Sequence, residues 1–164
     1  MSYELEVVNI RLVNEPSWYS SELLDNPDKI SEFMSKELKS YDREVFCVLN
    51  LTTSAKVINM SIVSMGTINA SLVSAREVFK SSILANAAFI IAVHNHPSGD
   101  LTPSQNDLKI TKTLSEAGKI LGIELLDHII VGGDKGEYFS FYKHNLLKEK
   151  KEPQKQKTKK TRER

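Results

Sequence analysis

His94 and His96, two residues apart, and Asp107, eleven residues beyond the second, are the side chains of this sequence best suited to chemistry. The histidines follow Phe89–Val93 (FIIAV), a continuous apolar run typical of a buried central strand. Residues i and i+2 of an extended segment point to the same side, about 6.6 Å apart along the chain. Two imidazoles so placed can converge on one ion. Asp107 falls in the first turn of a helix opening at Ser104. The intervening HNHPSGDLTPS, rich in Pro, Gly and Ser, is a loop that can bring that turn back over the strand end. Two imidazole nitrogens and one carboxylate oxygen make three protein ligands, leaving a fourth tetrahedral position for water. Zinc bound there lowers the pKa of its water towards about 7 and polarises a carbonyl.

Hydrolysis at such a site needs a group that takes a proton from water and passes it to a leaving amine. Glu44, at the head of an apolar strand, is the preferred candidate, because a side chain there can reach a site at a sheet end. Glu77 and Glu116 fall mid-helix, where a solvated face explains them. Ser104, at a helix N-terminus, is placed to stabilise an oxyanion. A blander reading stands beside each assignment. Two same-face histidines are also compatible with a core, and Ser104-Gln105-Asn106-Asp107 is close to a capping box, with Ser as N-cap and an acid three residues later. Capping and ligation compete for Asp107, and periodicity alone does not separate them.

The elements that must position these groups read as follows. Residues 3–13 (YELEVVNIRLV) alternate like a strand, and Asn26-Pro27 opens a helix ending near Ser40. Glu44–Leu51 and Val57–Met65 are two strands joined by a short turn, most simply a hairpin. A second helix covers Ala75–Ala87, and a third runs from Ser104 to about Leu121, with Gly122 near its stop. Ile123–Val131 and Tyr138–Phe141 are closing strands around a Gly132-Gly133 turn. Strands in hairpins and strands separated by helices point to an α/β or α+β sandwich. Asp127-His128, within the first closing strand, is either a pair that orients a ligand or a structural pair, more often the latter. Cys47 alternates within an apolar strand and reads as core packing.

The chain is 164 residues long, one domain's worth, with hydrophobic and charged fractions of 40% and 26%, as in soluble globular proteins. No apolar run reaches the roughly 18 residues that span a bilayer, and the first residues lack the basic and apolar regions of a signal peptide. These features predict a cytoplasmic protein with no membrane contact. A single cysteine excludes an internal disulfide and any multi-cysteine zinc site. The net charge of +1 hides an asymmetry: residues 148–164 hold seven Lys, two Arg and three Glu, leaving 13 basic against 18 acidic residues in the first 147. Only this tail, read as disordered, offers an electrostatic attraction for nucleic acid or an acidic partner.

The full pattern, Glu44 and then His94-x-His96, seven residues, Ser104, two residues and Asp107, resembles the E…HxHx(7)SxxD signature of the JAMM (MPN-plus) metalloproteases. The string HNHPSGDLTPSQND, with REVF (76–79) before it and LLDHIIVGG (125–133) after it, is similar to the RadC-type branch, or JAB domain, over residues 40 to 147. The resemblance implies a JAMM/MPN-like mixed β-sheet flanked by helices and one Zn2+ per chain, held by His94, His96 and Asp107. It further implies Glu44 as general acid/base, Ser104 as stabiliser of the tetrahedral intermediate, and a peptide or protein substrate. The expected organisation is a strand and helix in residues 1–40 packing on a RadC-like domain at 41–147, then the basic tail at 148–164. Two departures stand out: Asn95 lies between the histidines where many JAMM proteases have Ser or Thr, and residues before 41 show no helix-hairpin-helix motif. The competing expectation is a DNA-repair or mobile-element protein that binds a nucleic acid or protein without cleaving it. A metallo-β-lactamase motif would need Asp and His where Ser98 and Gly99 stand.

Overall fold

The structure, a computed structural model, describes residues 11–66, 73–132 and 136–147. Helix α1 (Pro27–Leu38) is followed by strands β1 (Val45–Leu51) and β2 (Val57–Met65). Then come helix α2 (Ala75–Leu84), strand β3 (Phe89–Asn95), helix α3 (Gln105–Leu121), and strands β4 (Glu124–Val131) and β5 (Tyr138–Ser140). The five strands form one mixed sheet in the order β2-β1-β3-β4-β5. β1 pairs antiparallel with both β2 and β3, β3 runs parallel to β4 with α3 as the crossover, and β5 closes antiparallel on β4. This is an α/β fold of the expected kind, and β1–β2 is the expected hairpin.

Alternation along the central strands divides the core into two layers. Val45, Cys47, Leu49, Ile91, Val93 and Ile129 face α1, meeting its Ile30, Met34 and Leu38. Phe46, Val48, Ile90, Ala92 and Leu125 face the other way, onto Val78 and Phe79 of α2 and Leu114 of α3. His94 shares the parity of Phe46 and Ala92, with its Cα opposite Phe46. It therefore belongs to the α3 side of the sheet. In β4 a register shift, with Ile90 opposite Leu125 but Ile91 opposite Asp127, inserts one extra residue. That bulge reverses the alternation and brings His128 opposite Ala92, onto the same side as His94.

The helix ends follow local chemistry. Asn26 caps α1 by accepting the Lys29 N–H at 3.0 Å, with Pro27 in the first turn. Helix α2 stops at Leu84, short of the expected Ala87, because Asn86 takes a left-handed φ of 50°. The Asn86 N–H then closes on Ile83 O and the Ala87 N–H on Ser82 O, the paired bonds of a Schellman motif. Gly122, at φ 70°, ends α3 as expected. Residues 11–13 carry no strand, and the rest of the expected strand 3–13 lies outside the described residues, as do Gly133 and the tail 148–164. Among the described residues no helix is long and apolar enough to cross a membrane.

Candidate metal centre

β3 delivers His94 from its buried end, and the chain continues extended through His96, whose N–H bonds Val131 O at 3.0 Å. The two imidazoles converge as their spacing requires, Nε2 to Nε2 at 3.0 Å. The loop after His96 is held down on Gly132, where a Cβ would meet Leu101 Cδ2 at 3.2 Å and the His96 carbonyl at 3.3 Å. The loop brings the first turn of α3 over the strand end. Asp107 Oδ1 lies 3.3 Å from His94 Nε2, and Oδ2 lies 3.4 Å from His96 Nε2.

The competition for Asp107 is resolved by its two oxygens. The capping box is present: Ser104 donates to Oδ2 from both its backbone N–H and its hydroxyl, each at 2.7 Å, and the Asp107 N–H returns to Ser104 Oγ at 3.1 Å. Oδ1 takes no part in the cap and faces His94. Capping and ligation are thus compatible. His94, His96 and Asp107 form a group able to hold a metal ion. Ligands about 2.0–2.1 Å from a tetrahedral zinc stand about 3.3 Å from one another. The histidine nitrogens stand 3.0 Å apart, and each has one Asp107 oxygen at 3.3 or 3.4 Å (Oδ1 for His94, Oδ2 for His96). One ligand atom from each of the three residues lies within 4.8 Å of the others, so the donor set is close enough to share one ion.

Electrostatics agree with a cation site. Half-burial would raise the Asp107 carboxyl, but hydrogen bonds from His94 and His96, the His94 charge and the Ser104 hydroxyl outweigh it. Asp107 is held well below the usual carboxylate range. The His96 imidazole is raised, chiefly by its hydrogen bond to Asp107, against desolvation, with help from the Asp100 carbonyl and the charges of Asp107 and Glu44. His96 Nδ1 donates to that carbonyl at 2.5 Å, which leaves Nε2 as the nitrogen turned to the site.

Glu44 is half-buried, one residue before β1 begins, and near enough for its charge to act on His96. Ser104, proposed from sequence as an oxyanion stabiliser, has its hydroxyl engaged with Asp107. Two contributors were not assigned from sequence. Asn95, pointing away from the histidines, accepts the Val45 N–H at 2.7 Å and donates to Arg43 O at 3.0 Å, bracketing Glu44 from both sides. His128, completely buried, sets Nε2 2.9 Å from His94 Nδ1 and Nδ1 2.6 Å from Thr111 Oγ1. Burial first, then the neighbouring His94, pushes His128 well below the ordinary imidazole value. Asp127 does not orient that ring; it accepts from Ser140 Oγ and from the backbone N–H groups of Tyr142 and His128. The signal for Asn95 was its place inside the motif, and that for His128 was the Asp127-His128 pair.

Fold and site together define a mixed-sheet α/β protein with a three-residue metal-type centre at the end of its central strands. The model of the RadC-like JAB domain family matches residues 24–146, and the chain belongs to that family. It is 45% identical over 124 residues to a UPF0758 protein of Alkaliphilus oremlandii, covering 76% of this chain and 53% of that one. With a UPF0758 protein of Moorella thermoacetica the identity is 46% over 128 residues, covering 78% and 55%. A third, from Syntrophomonas wolfei, is 50% identical over 108 residues, covering 66% and 46%. The chain spans about half the length of these curated relatives.

Proposed function

We propose that this protein is a zinc-dependent metallohydrolase acting on peptide or isopeptide bonds, with zinc held by His94, His96 and Asp107. The observation that carries this reading is the convergence of two imidazole nitrogens, His94 Nε2 and His96 Nε2, and the Asp107 carboxylate within 4.8 Å of one another. Such a three-ligand set would leave a fourth position of a tetrahedral zinc for water. Zinc there would supply Lewis acidity, making water acidic near neutral pH and polarising a carbonyl. Every other task falls to the chain. Glu44, bracketed by the Asn95 amide, would take the proton from water and return it to the departing amine. Ser104 would turn its hydroxyl from Asp107 Oδ2 toward the oxygen on which charge develops, exchanging one acceptor for another. A cleft of about 270 Å³, lined by Ser35, Tyr41, Ser98, Gly99 and Gly132, reaches the centre only at His96.

The test begins with metal-stripped protein. About one equivalent of zinc should bind, with none retained in His94→Ala/His96→Ala. Cleavage of peptide and isopeptide substrates should vanish in Glu44→Gln while zinc stays bound. Zinc retained by the double variant would sink this reading. A second reading, binding of nucleic acid or an acidic partner, draws on the nine basic residues of 148–164. Salt-dependent DNA binding lost on deleting that tail would support it as non-specific attraction; binding that persists would place a nucleic-acid surface on the domain.

A further inference from the structure

We propose that Thr111 and His128 are positioning residues that lock His94 in the tautomer able to bind a metal ion through Nε2. This inference rests on the metal reading above and concerns how the chain prepares one of its ligands.

The chain of hydrogen bonds starts on the backbone of α3. Thr111 Oγ1 lies 2.5 Å from the carbonyl oxygen of Asp107, one turn earlier. A carbonyl only accepts, so the single hydroxyl hydrogen of Thr111 is committed to it. Thr111 then has only lone pairs to offer His128 Nδ1, 2.6 Å away, and that nitrogen must carry the ring hydrogen. A neutral imidazole with hydrogen on Nδ1 has a bare Nε2. His128 Nε2 must therefore accept across its 2.9 Å contact with His94 Nδ1, which must donate. The hydrogen of His94 is thus held on the side away from the site. In the neutral form, the one in which it can ligate, His94 therefore turns its Nε2 lone pair toward His96 Nε2 and Asp107 Oδ1.

Replacing the hydroxyl by a methyl group would release every step. His128 could then carry its hydrogen on Nε2 and donate to His94 Nδ1, moving the His94 hydrogen to Nε2, where it blocks ligation. Two structural features exist to hold this path. The bulge in β4 turns His128 to the His94 side, where Phe141 stacks on its ring with centroids 4.7 Å apart. Asp107 and Thr111 lie four residues apart on one face of α3, so a single helix turn supplies both a ligand and the start of the relay. The same side of His94 carries Phe46, stacked at 5.7 Å and 12°.

The test uses the whole chain labelled with 15N in histidine, as parent, Thr111→Ser and Thr111→Val. Valine nearly matches threonine in shape, and serine keeps the hydroxyl. In metal-free parent protein, long-range 1H–15N spectra should show hydrogen on Nδ1 of both His94 and His128, with His128 Nε2 bare. Thr111→Ser should keep that pattern and Thr111→Val should lose it. Zinc affinity, read by competition with a chromogenic chelator, should fall roughly 10–100-fold in Thr111→Val and stay near parental in Thr111→Ser. Hydrogen on His128 Nε2 in the parent, or parental zinc affinity in Thr111→Val, would overturn the inference. A parent that binds no zinc would instead remove the metal reading, while the His128 tautomer still decides the relay.

Discussion

Asn95 sits between the two histidines yet serves a different residue. Its side chain points to the opposite face of β3 and bonds the backbone on both sides of Glu44, so the motif that carries two candidate ligands also fixes the residue proposed as general base. Asn95→Ala leaves the Val45 N–H without its acceptor. The expected cost is about 1–3 kcal/mol of stability, measured by urea denaturation. Zinc affinity should hardly change, whereas peptide cleavage should fall; a loss of zinc as complete as in His94→Ala would contradict this division of labour. Ser104 and Asp107 divide differently. Ser104→Ala removes a cap and should cost about 1 kcal/mol with zinc still bound, whereas Asp107→Ala should lose both the cap and the metal.

At the scale of elements, α3 is the part on which the site depends most. Its Asp107, Thr111, Leu114 and Gly118 recur at helical spacing along the stripe that faces the sheet. Candidate ligand, proposed relay, core contact and close approach are therefore one face of one helix. Gly118 sets how near α3 comes to the chain leading into β4: a Cβ there would lie 2.4 Å from the Ile123 carbonyl oxygen. Backbone cannot yield as a flexible side chain can. Gly118→Ala should therefore cost about 1–3 kcal/mol, and by moving α3 off the sheet it should also weaken zinc binding. A variant as stable as the parent in thermal unfolding would show that α3 has more freedom than this contact allows.

For the whole molecule, two buried groups report on folding. Cys47 lies in the α1-side core, where burial pushes its thiol up to about 12. It should resist a disulfide reagent at pH 8 in the native state and react at once in denaturant. Reaction at the free-thiol rate without denaturant would show that this core opens readily. Asp127, which ties β4 to the segment after β5, has a carboxyl raised by burial above its ordinary value of 3.8, against three hydrogen bonds that lower it. A carboxyl raised in the folded state contributes stability that is fully present below the unfolded value and is lost as pH rises through the folded one. Parent stability minus that of Asp127→Asn should therefore decline from about pH 4 upward; a difference that grows with pH would show Asp127 to be stabilised as its anion.

The residues that could ligate a metal were legible in the sequence because their spacing is local chemistry. A strand brings i and i+2 to one side, a helix N-terminus favours Ser and Asp at fixed offsets, and a Pro/Gly loop joins them. Most helix and strand positions were legible for the same reason: each is set by periodicity and by a cap within a few residues. Three outcomes were decided only by tertiary structure. Asp107 both caps and faces the histidines, because a carboxylate has two oxygens and only Oδ2, which also nears His96, is used by the cap while Oδ1 is left to His94. Asn95 reaches residues fifty positions away across the β1–β3 register, a pairing that local pattern does not encode. His128 joins the site through a one-residue bulge in β4. Strict alternation from Leu125 would have turned it toward α1, and the inserted residue becomes visible only once β4 is laid against β3.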